Sequence, residues 1–313
     1  MTMLKKSNDH ICVIGSGIIG SGIALDFALS DYKVKLITRT KESIKKAKRL
    51  ITDDINFLLK IKKISDNEIK KIKKKIEFSY SIENSVKNSP LIIEAIYENL
   101  PDKIELFSKL DKVCNPETII TSSTSSFLPE QFQLSSNRQK NIILTHYINP
   151  PYIIPLVEIV PGSKSSDKTI SAVYELLKSI NKKPVILDKP IPGFISVRLQ
   201  VALIREALYL IDNNLASAKQ IDDVIKYSIG RRWATSGLLK TLDLGGWDVQ
   251  SNIYKTLVTE LSDSKNIPKI LKSNLLEKKL GTKSQEGFYK WTPEEIIEIK
   301  TNIAKISYYL DKF

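Results

Sequence analysis

Apolar residues fall along this chain in two alternating textures. Short, β-branched runs at 10–14, 34–38, 118–121, 141–145, 156–160 and 184–187 read as buried strands, as does 91–100, which runs into a loop with acids. Between them apolar residues recur three and four apart, the spacing of a helix face, at 21–29, 42–62, 104–110 and 168–180. The stripe in 42–62 is Ile44, Ala47, Leu50, Ile51, Ile55, Leu58 and Leu59. Ser65-Asp-Asn-Glu68 then has the capping-box spacing that opens another helix. Strands alternating with helices predict an α/β domain on a mainly parallel sheet over residues 1–189. The strand texture stops at Lys189-Pro-Ile-Pro-Gly193. Helical spacing continues at 194–210, 218–229, 251–261 and 268–280, so residues 190–313 are expected to form an all-α domain.

The first strand runs into Gly15-Ser16-Gly17-Ile18-Ile19-Gly20 and then into a helix. In that context the glycine spacing is a dinucleotide-binding turn of the Rossmann type. Gly15 permits the tight turn, Gly17 lets a pyrophosphate approach the backbone, and Gly20 lets helix and strand pack closely; Ile18 and Ile19 count among the cofactor contacts. The helix N-terminus adds free N–H groups and a favourable dipole. An NAD site usually has an acid at the end of the second strand, where it holds the adenosine ribose. Here the residues are Thr38-Arg39-Thr40-Lys41, with no acid and two cations. A guanidinium pairs with phosphate through two parallel hydrogen bonds, which favours NADP over NAD. The other reading is a solvated helix start, with NAD held by the pyrophosphate loop alone.

Candidate chemistry concentrates at 143–160. The chain has two histidines. His10 lies in a disordered-looking start, which leaves His146, expected just past a strand end, to exchange a proton near neutral pH. Asn149-Pro150-Pro151 follows, too rich in proline for sheet or helix. Glu158 interrupts an otherwise apolar run, and a carboxylate buried there needs a partner. An imidazole and a buried carboxylate make a general acid/base pair; a satisfied core histidine and an edge-strand glutamate make the plainer reading. The cluster Ser122-Ser-Thr-Ser125-Ser126 ends a strand on the side where open parallel sheets bind ligands; a helix cap and loop is the lesser reading.

Composition narrows the field. The chain's 313 residues are enough for two domains. No apolar run approaches the ~20 residues that span a bilayer, and the polar stretch 1–10 lacks the apolar core of a secretory signal. Cys12 and Cys114 make no disulfide framework, so a reduced, cytoplasmic setting is expected. Much of the net charge of +13 is concentrated in a lysine-rich helical hairpin at 41–75, with a lysine-rich compositional habit as the bland alternative. That hairpin is either a solvated surface or a basic ledge for phosphates or carboxylates. No nucleic-acid recognition pattern accompanies the charge, and neither a nucleic-acid partner nor a metal is expected.

These residues carry a resemblance. Gly15-Ser-Gly17-Ile-Ile-Gly20-Ser-Gly-Ile-Ala, Ile93-Glu-Ala-Ile-Tyr-Glu98-Asn-Leu, Ser123-Thr-Ser125-Ser, the His146-to-Glu158 stretch, Ile191-Pro-Gly193-Phe-Ile-Ser-Val197-Arg-Leu and Lys279-Leu-Gly281-Thr-Lys-Ser-Gln-Glu-Gly287-Phe-Tyr-Lys-Trp follow one another at the family's spacing. Over roughly 11–291 the chain resembles the 3-hydroxyacyl-CoA dehydrogenase family, near its L-gulonate 3-dehydrogenase (lambda-crystallin) and carnitine dehydrogenase branches.

The resemblance implies an NAD(P)-dependent oxidoreductase of fatty acid metabolism. It would interconvert a 3-hydroxyacyl thioester (of CoA or a carrier protein) or a free 3-hydroxy acid with the 3-keto compound. His146 would be the base, Glu158 would hold its ring, and Ser125 would hydrogen-bond the substrate oxygen. Glu98 and Lys103 would lie on the nicotinamide-ribose side, and Asn149 and Val197 at the substrate. The helical domain would form a homodimer and close over the substrate. For a free acid, Arg198 or Arg231-Arg232 could supply a cation.

Three departures stand out. Val197 replaces the asparagine of Pro-Gly-Phe-x-x-Asn-Arg, a donor to the reacting oxygen, and Ser196 is turned ~100° away from that position. Thr38-Arg39 alters the ribose site, and Gln285-Glu286 replaces a Gly-x-Gly turn. The loss at Val197 leaves a second reading, a catalytically impaired binding or structural protein on the same fold.

Overall fold

A computed structural model of the chain describes residues 10–310. It divides into two units, Met1–Val197 and Arg198–Phe313. The reading of the polar start concerns residues 1–9, outside those described, and His10.

The first unit is an eight-stranded sheet in the order β3-β2-β1-β4-β5-β6-β7-β8. The strands are β1 (His10–Ile14), β2 (Lys33–Ile37), β3 (Ile76–Ser79), β4 (Leu91–Glu94), β5 (Ile119–Ser122), β6 (Ile142–Tyr147), β7 (Leu156–Pro161) and β8 (Lys183–Ile186). The helices are α1 (Ile18–Leu29), α2 (Lys41–Lys60), α3 (Asp66–Lys75), α4 (Ile82–Val86), α5 (Leu100–Val113), α6 (Pro129–Gln133) and α7 (Asp167–Ser179). Successive side chains of a strand face opposite ways. Cys12, Ile92, Ile120 and Ile142 stand in register across β1, β4, β5 and β6. Phe107 of α5 and Phe132 of α6 join them in one buried cluster, their ring centroids 4.8 Å apart.

From β1 the chain builds outward first to β2 and β3, then returns to place β4 on the other side. Such a reversal opens a crevice at the carboxyl ends of the strands, where ligands bind in sheets of this kind. Neighbouring strands are parallel except β6 and β7, which are antiparallel. The connection between them, residues 148–155, is too short for a parallel crossover of a dozen residues or more.

Two expectations about the histidines are corrected. His146 lies inside β6 and not past its end, because the ladder with β7 continues through the pair Tyr147↔Val157. His10 is not in a loose start. It opens β1 opposite Lys33, and its Nε2 lies 2.8 Å from the Ser85 carbonyl.

Lysines of the 41–75 hairpin stand mostly outward, while Ala47, Ile51, Ile55, Leu58 and Ile72 are buried. The Ser65–Glu68 capping box forms as predicted. The second unit carries most of α8 (Ser196–Asp212) and is helical onward to a last helix, Pro293–Leu310. Within it, the Asp212 carboxylate accepts from the Lys269 and Ile270 N–H groups at 2.7 and 2.8 Å. Gln285 takes up the left-handed turn, at φ 60°, that a glycine would fill without cost. Among the described residues, no helix is long and apolar enough to cross a membrane.

Candidate active site

The glycines of the first turn are needed for three different reasons. Gly15 sits at φ +111°, and a Cβ there would lie 2.2 Å from the Ala95 carbonyl oxygen. A Cβ on Gly20 would lie 1.9 Å from the Gly15 carbonyl, so any side chain would push α1 off the turn. At Gly17 nothing stands within 4 Å of where a Cβ would be. That open space, in front of the first N–H groups of α1, fits a phosphate approaching the backbone. The turn opens a cleft of about 910 Å³, lined also by Ile18, Ile19, Thr38, Arg39, Glu98, Lys103 and Ser125.

A buried polar network forms one wall of this cleft. Glu94, at the end of β4, is fully buried, and its Oε1 accepts from Lys103 Nζ at 2.7 Å and from the Ile96 N–H at 2.6 Å. Its Oε2 accepts from Ser122 Oγ at 2.5 Å. Lys103 also lies 3.3 Å from Glu98 Oε2, and Glu98 Oε1 accepts from the Thr124 hydroxyl. A buried ion pair is tolerable only when its remaining donors and acceptors are satisfied, as these are. The network joins β4, α5 and the 123–125 loop through Ser122 and Thr124, next to which the exposed Ser125 lines the cleft. Lys103 is 1 % exposed, so it acts at the cleft chiefly by holding Glu98.

At the end of β2 the site differs in the way the sequence indicates. The Thr38 hydroxyl donates to the Thr40 carbonyl at 3.1 Å, and Thr40 Oγ1 caps α2 by accepting from the Ser43 N–H at 3.1 Å. No carboxylate occupies residue 38; the exposed Arg39 follows it.

On the same edge of the sheet, antiparallel register sets His146 directly opposite Glu158. His146 Nδ1 is 2.8 Å from Glu158 Oε2, with both side chains buried. Burial alone would raise the Glu158 pKa. Hydrogen bonds from His146, from the Ser196 hydroxyl and from the Ser196 and Ile195 N–H groups outweigh it and hold the carboxyl below its usual range. The two N–H groups reach Oε1, each at 2.9 Å. They are aimed by a left-handed turn, Gly193 at φ 77° and Phe194 at φ 51°. Such a conformation is strained for phenylalanine, and it persists here because the ring is fully buried beside His146, 5.2 Å between centroids.

The crossing after His146 is clamped from two sides. Gly22 of α1 lets it approach, since a Cβ there would lie 2.7 Å from Pro151 Cδ. The Lys182 ammonium donates to the Pro151 carbonyl and lies 2.9 Å from Asp26 of α1. Asn149 is exposed on this crossing.

Residues 10–190 match the family described as "3-hydroxyacyl-CoA dehydrogenase, NAD binding domain", and residues 193–291 match its C-terminal domain. The chain belongs to the 3-hydroxyacyl-CoA dehydrogenase family. It is therefore an oxidoreductase of CH–OH groups with a nicotinamide cofactor. This dehydrogenase is 33% identical over 282 residues to 3-hydroxybutyryl-CoA dehydrogenase of Clostridioides difficile, covering 90% of this chain and 99% of that one. It is 26% identical over 302 residues, 95% of each chain, to 5-formyl-3-hydroxy-2-methylpyridine 4-carboxylate 5-dehydrogenase of Mesorhizobium japonicum. A crystal structure of an enzyme of that activity, described as an NAD+ dependent dismutase, superposes with a TM-score of 0.85 at 25% identity over 96% of each chain. L-carnitine dehydrogenase of Pseudomonas putida is 38% identical over 174 residues, 56% of this chain and 54% of that one.

Of the residues singled out in the sequence of this dehydrogenase, the cleft gathers Gly15, Gly17, Ile18, Ile19, Thr38, Arg39, Glu98, Lys103 and Ser125. Gly20 is buried behind it, and His146 and Glu158 pair at the neighbouring strands. Val197 is half-buried one residue past the Glu158 anchor. Arg198 and Arg231-Arg232 fall in the second unit, where the Arg231 guanidinium lies over the Tyr227 ring. Sequence reasoning missed Glu94 and Thr124 as site supports. An acid closing the apolar run Leu91-Ile-Ile was a usable signal for the first; a single threonine in a serine loop gave none for the second.

Proposed function

We propose that this chain is an NADP-preferring dehydrogenase. It interconverts a 3-hydroxy acid, or its CoA or carrier-protein thioester, with the 3-keto compound, and His146 is its general base. The observation that carries this reading is the 2.8 Å contact of His146 Nδ1 with the buried Glu158 carboxylate. With Nδ1 committed to Glu158, Nε2 is the ring atom left to take the proton of the 3-hydroxyl. The bound nicotinamide supplies the acceptor for the hydride leaving C3. Glu158 stabilises the imidazolium formed as the proton arrives, and Ser125 orients the substrate oxygen. Asn149 and Val197 bound the substrate, while Glu98, held by Lys103 and Thr124, faces the nicotinamide ribose. In the reverse direction His146 returns the proton to the carbonyl oxygen.

Two further parts of the reading rest on other features. Exposed apolar side chains recur along α8, with Leu199 57% and Val201 54% exposed, as expected of a surface that a second copy covers. This supports a homodimer through the C-terminal unit. The buried free thiols Cys12 and Cys114 suit a reducing, cytoplasmic setting, and fatty acid metabolism is the setting that a thioester substrate implies.

The test is a screen at 340 nm (absorbance of the reduced cofactor), crossing NAD and NADP with acyl-CoA, carrier-bound and free 3-hydroxy acids. Turnover of none of them would overturn the dehydrogenase reading in favour of a binding protein on this fold. Fluorescence titration is expected to give tighter binding of NADP than of NAD. Arg39→Ala is expected to weaken NADP about tenfold, the scale of one exposed charge-assisted contact, and to spare NAD. Equal loss for both cofactors would mean that Arg39 does not meet the 2′-phosphate.

Glu158→Gln is expected to lower turnover about tenfold and move the acid limb of the kcat/KM profile to lower pH. The sign follows from charge: a carboxylate favours the protonated ring, so its loss makes that ring give up its proton earlier. An unchanged profile at full activity would reduce Glu158 to a structural role.

A further inference from the structure

We infer that Ser196 is a positioning residue that tunes the His146–Glu158 pair, a role that rests on the acid/base reading above. Its hydroxyl is turned from the place where the family has asparagine and has another task. Ser196 Oγ donates to Glu158 Oε2 at 2.6 Å, the same oxygen that lies 2.8 Å from His146 Nδ1. The Ile195 and Ser196 N–H groups occupy Oε1. Together these four contacts fill the roughly four acceptor positions of a carboxylate.

The groups that meet Glu158 come from three parts of the chain. β6 contributes His146, β8 sets Val185 opposite it in register, and the turn before α8 contributes Ile195 and Ser196. Among the described residues, His146 is the titratable member of this set. Ser196 and His146 therefore share one carboxylate oxygen.

A hydrogen bond draws negative charge toward its donor, and buried bonds on one group polarise each other. The hydroxyl thus takes part of the Oε2 charge that would otherwise hold the imidazolium. Ser196 limits how firmly His146 keeps the proton it has taken. It also fixes the carboxylate in a single orientation.

The experiment is an NMR titration of the imidazole in wild type, Ser196→Ala, Ser196→Thr and Ser196→Cys, with kcat/KM profiles alongside. With two histidines in the chain, the His146 signals are identified by their loss in His146→Gln. Ser196→Ala is expected to move the ring's midpoint to higher pH by ~0.5–1 unit, the scale of one hydrogen bond to a charged group. Ser196→Thr is expected to titrate as wild type. Ser196→Cys, isosteric with a weak donor, is expected to move the same way as alanine and reads the effect if the alanine variant folds poorly. A midpoint that is unchanged or lower in both Ser196→Ala and Ser196→Cys overturns the inference, as does a threonine variant that behaves like alanine. The titration needs no turnover. A ring shift without a matching shift in kcat/KM therefore keeps the Ser196 coupling and sinks His146 as the base.

Discussion

His146→Gln is expected to lower turnover by at least ~10³-fold, near the upper range for loss of a general base, while cofactor affinity stays within about twofold. The other histidine, His10, opens β1 with its ring against the Ser85 carbonyl, so it offers no substitute. The cofactor cleft is formed by the β1, β2, β4 and β5 loops, and His146 lies beyond it on β6. Glutamine leaves Glu158 without its Nδ1 partner, but Ser196 and two backbone N–H groups still satisfy the carboxylate, so the fold should survive. His146→Asn is the companion variant, because its amide N–H can reach toward the Nδ1 position and keep that contact. Both variants should bind cofactor by fluorescence titration and both should be inactive. Retention of most activity in either would make His146 a core histidine.

The sheet was largely legible because buried strands and amphipathic helices have different periods. The runs at 34–38 and 156–160 each fall within one residue of a strand, β2 and β7, whereas the run at 91–100 yields a strand only over Leu91–Glu94. β3 was not legible: Ile76-Glu-Phe-Ser79 is a four-residue edge strand, too short to establish alternation and placed straight after a lysine-rich helix. His146 was expected past its strand because the prolines at 150 and 151 signal a break early. The ladder with β7 carries β6 on to Tyr147, and that pairing is a tertiary fact absent from local pattern. The His146–Glu158 pairing could be guessed from residue types. The contribution of Ser196 could not, since its direction depends on the left-handed turn at Gly193 and Phe194. Glycine there is an ordinary signal; a buried phenylalanine at positive φ is held by packing that sequence does not display.

Val197 sets the second large expectation: Val197→Asn should raise activity on a simple 3-hydroxyacyl-CoA about a hundredfold and bring no gain on the physiological substrate. By the family resemblance, valine stands where a donor to the reacting oxygen is expected. Removing one such donor costs on the order of 10²–10³ in turnover. The neighbouring Ser196 cannot stand in, because its hydroxyl and N–H are both committed to Glu158. That anchor also fixes the backbone at residue 197 beside the acid/base pair, so an asparagine would start from the right place. The other residues assigned to the proposed chemistry are in place: the glycine turn, the network holding Glu98, and the His146–Glu158 pair. A substrate turned over well by such a site must bring its own polar group to the valine side, or leave its oxygen to Ser125 alone. Plain acyl-CoA does neither well, and the added donor should rescue it selectively. The measurement is kcat/KM for wild type and Val197→Asn on acetoacetyl-CoA and on the best substrate of the screen. A wild-type enzyme already fast on acetoacetyl-CoA would sink the idea, because the missing donor would then never have been needed.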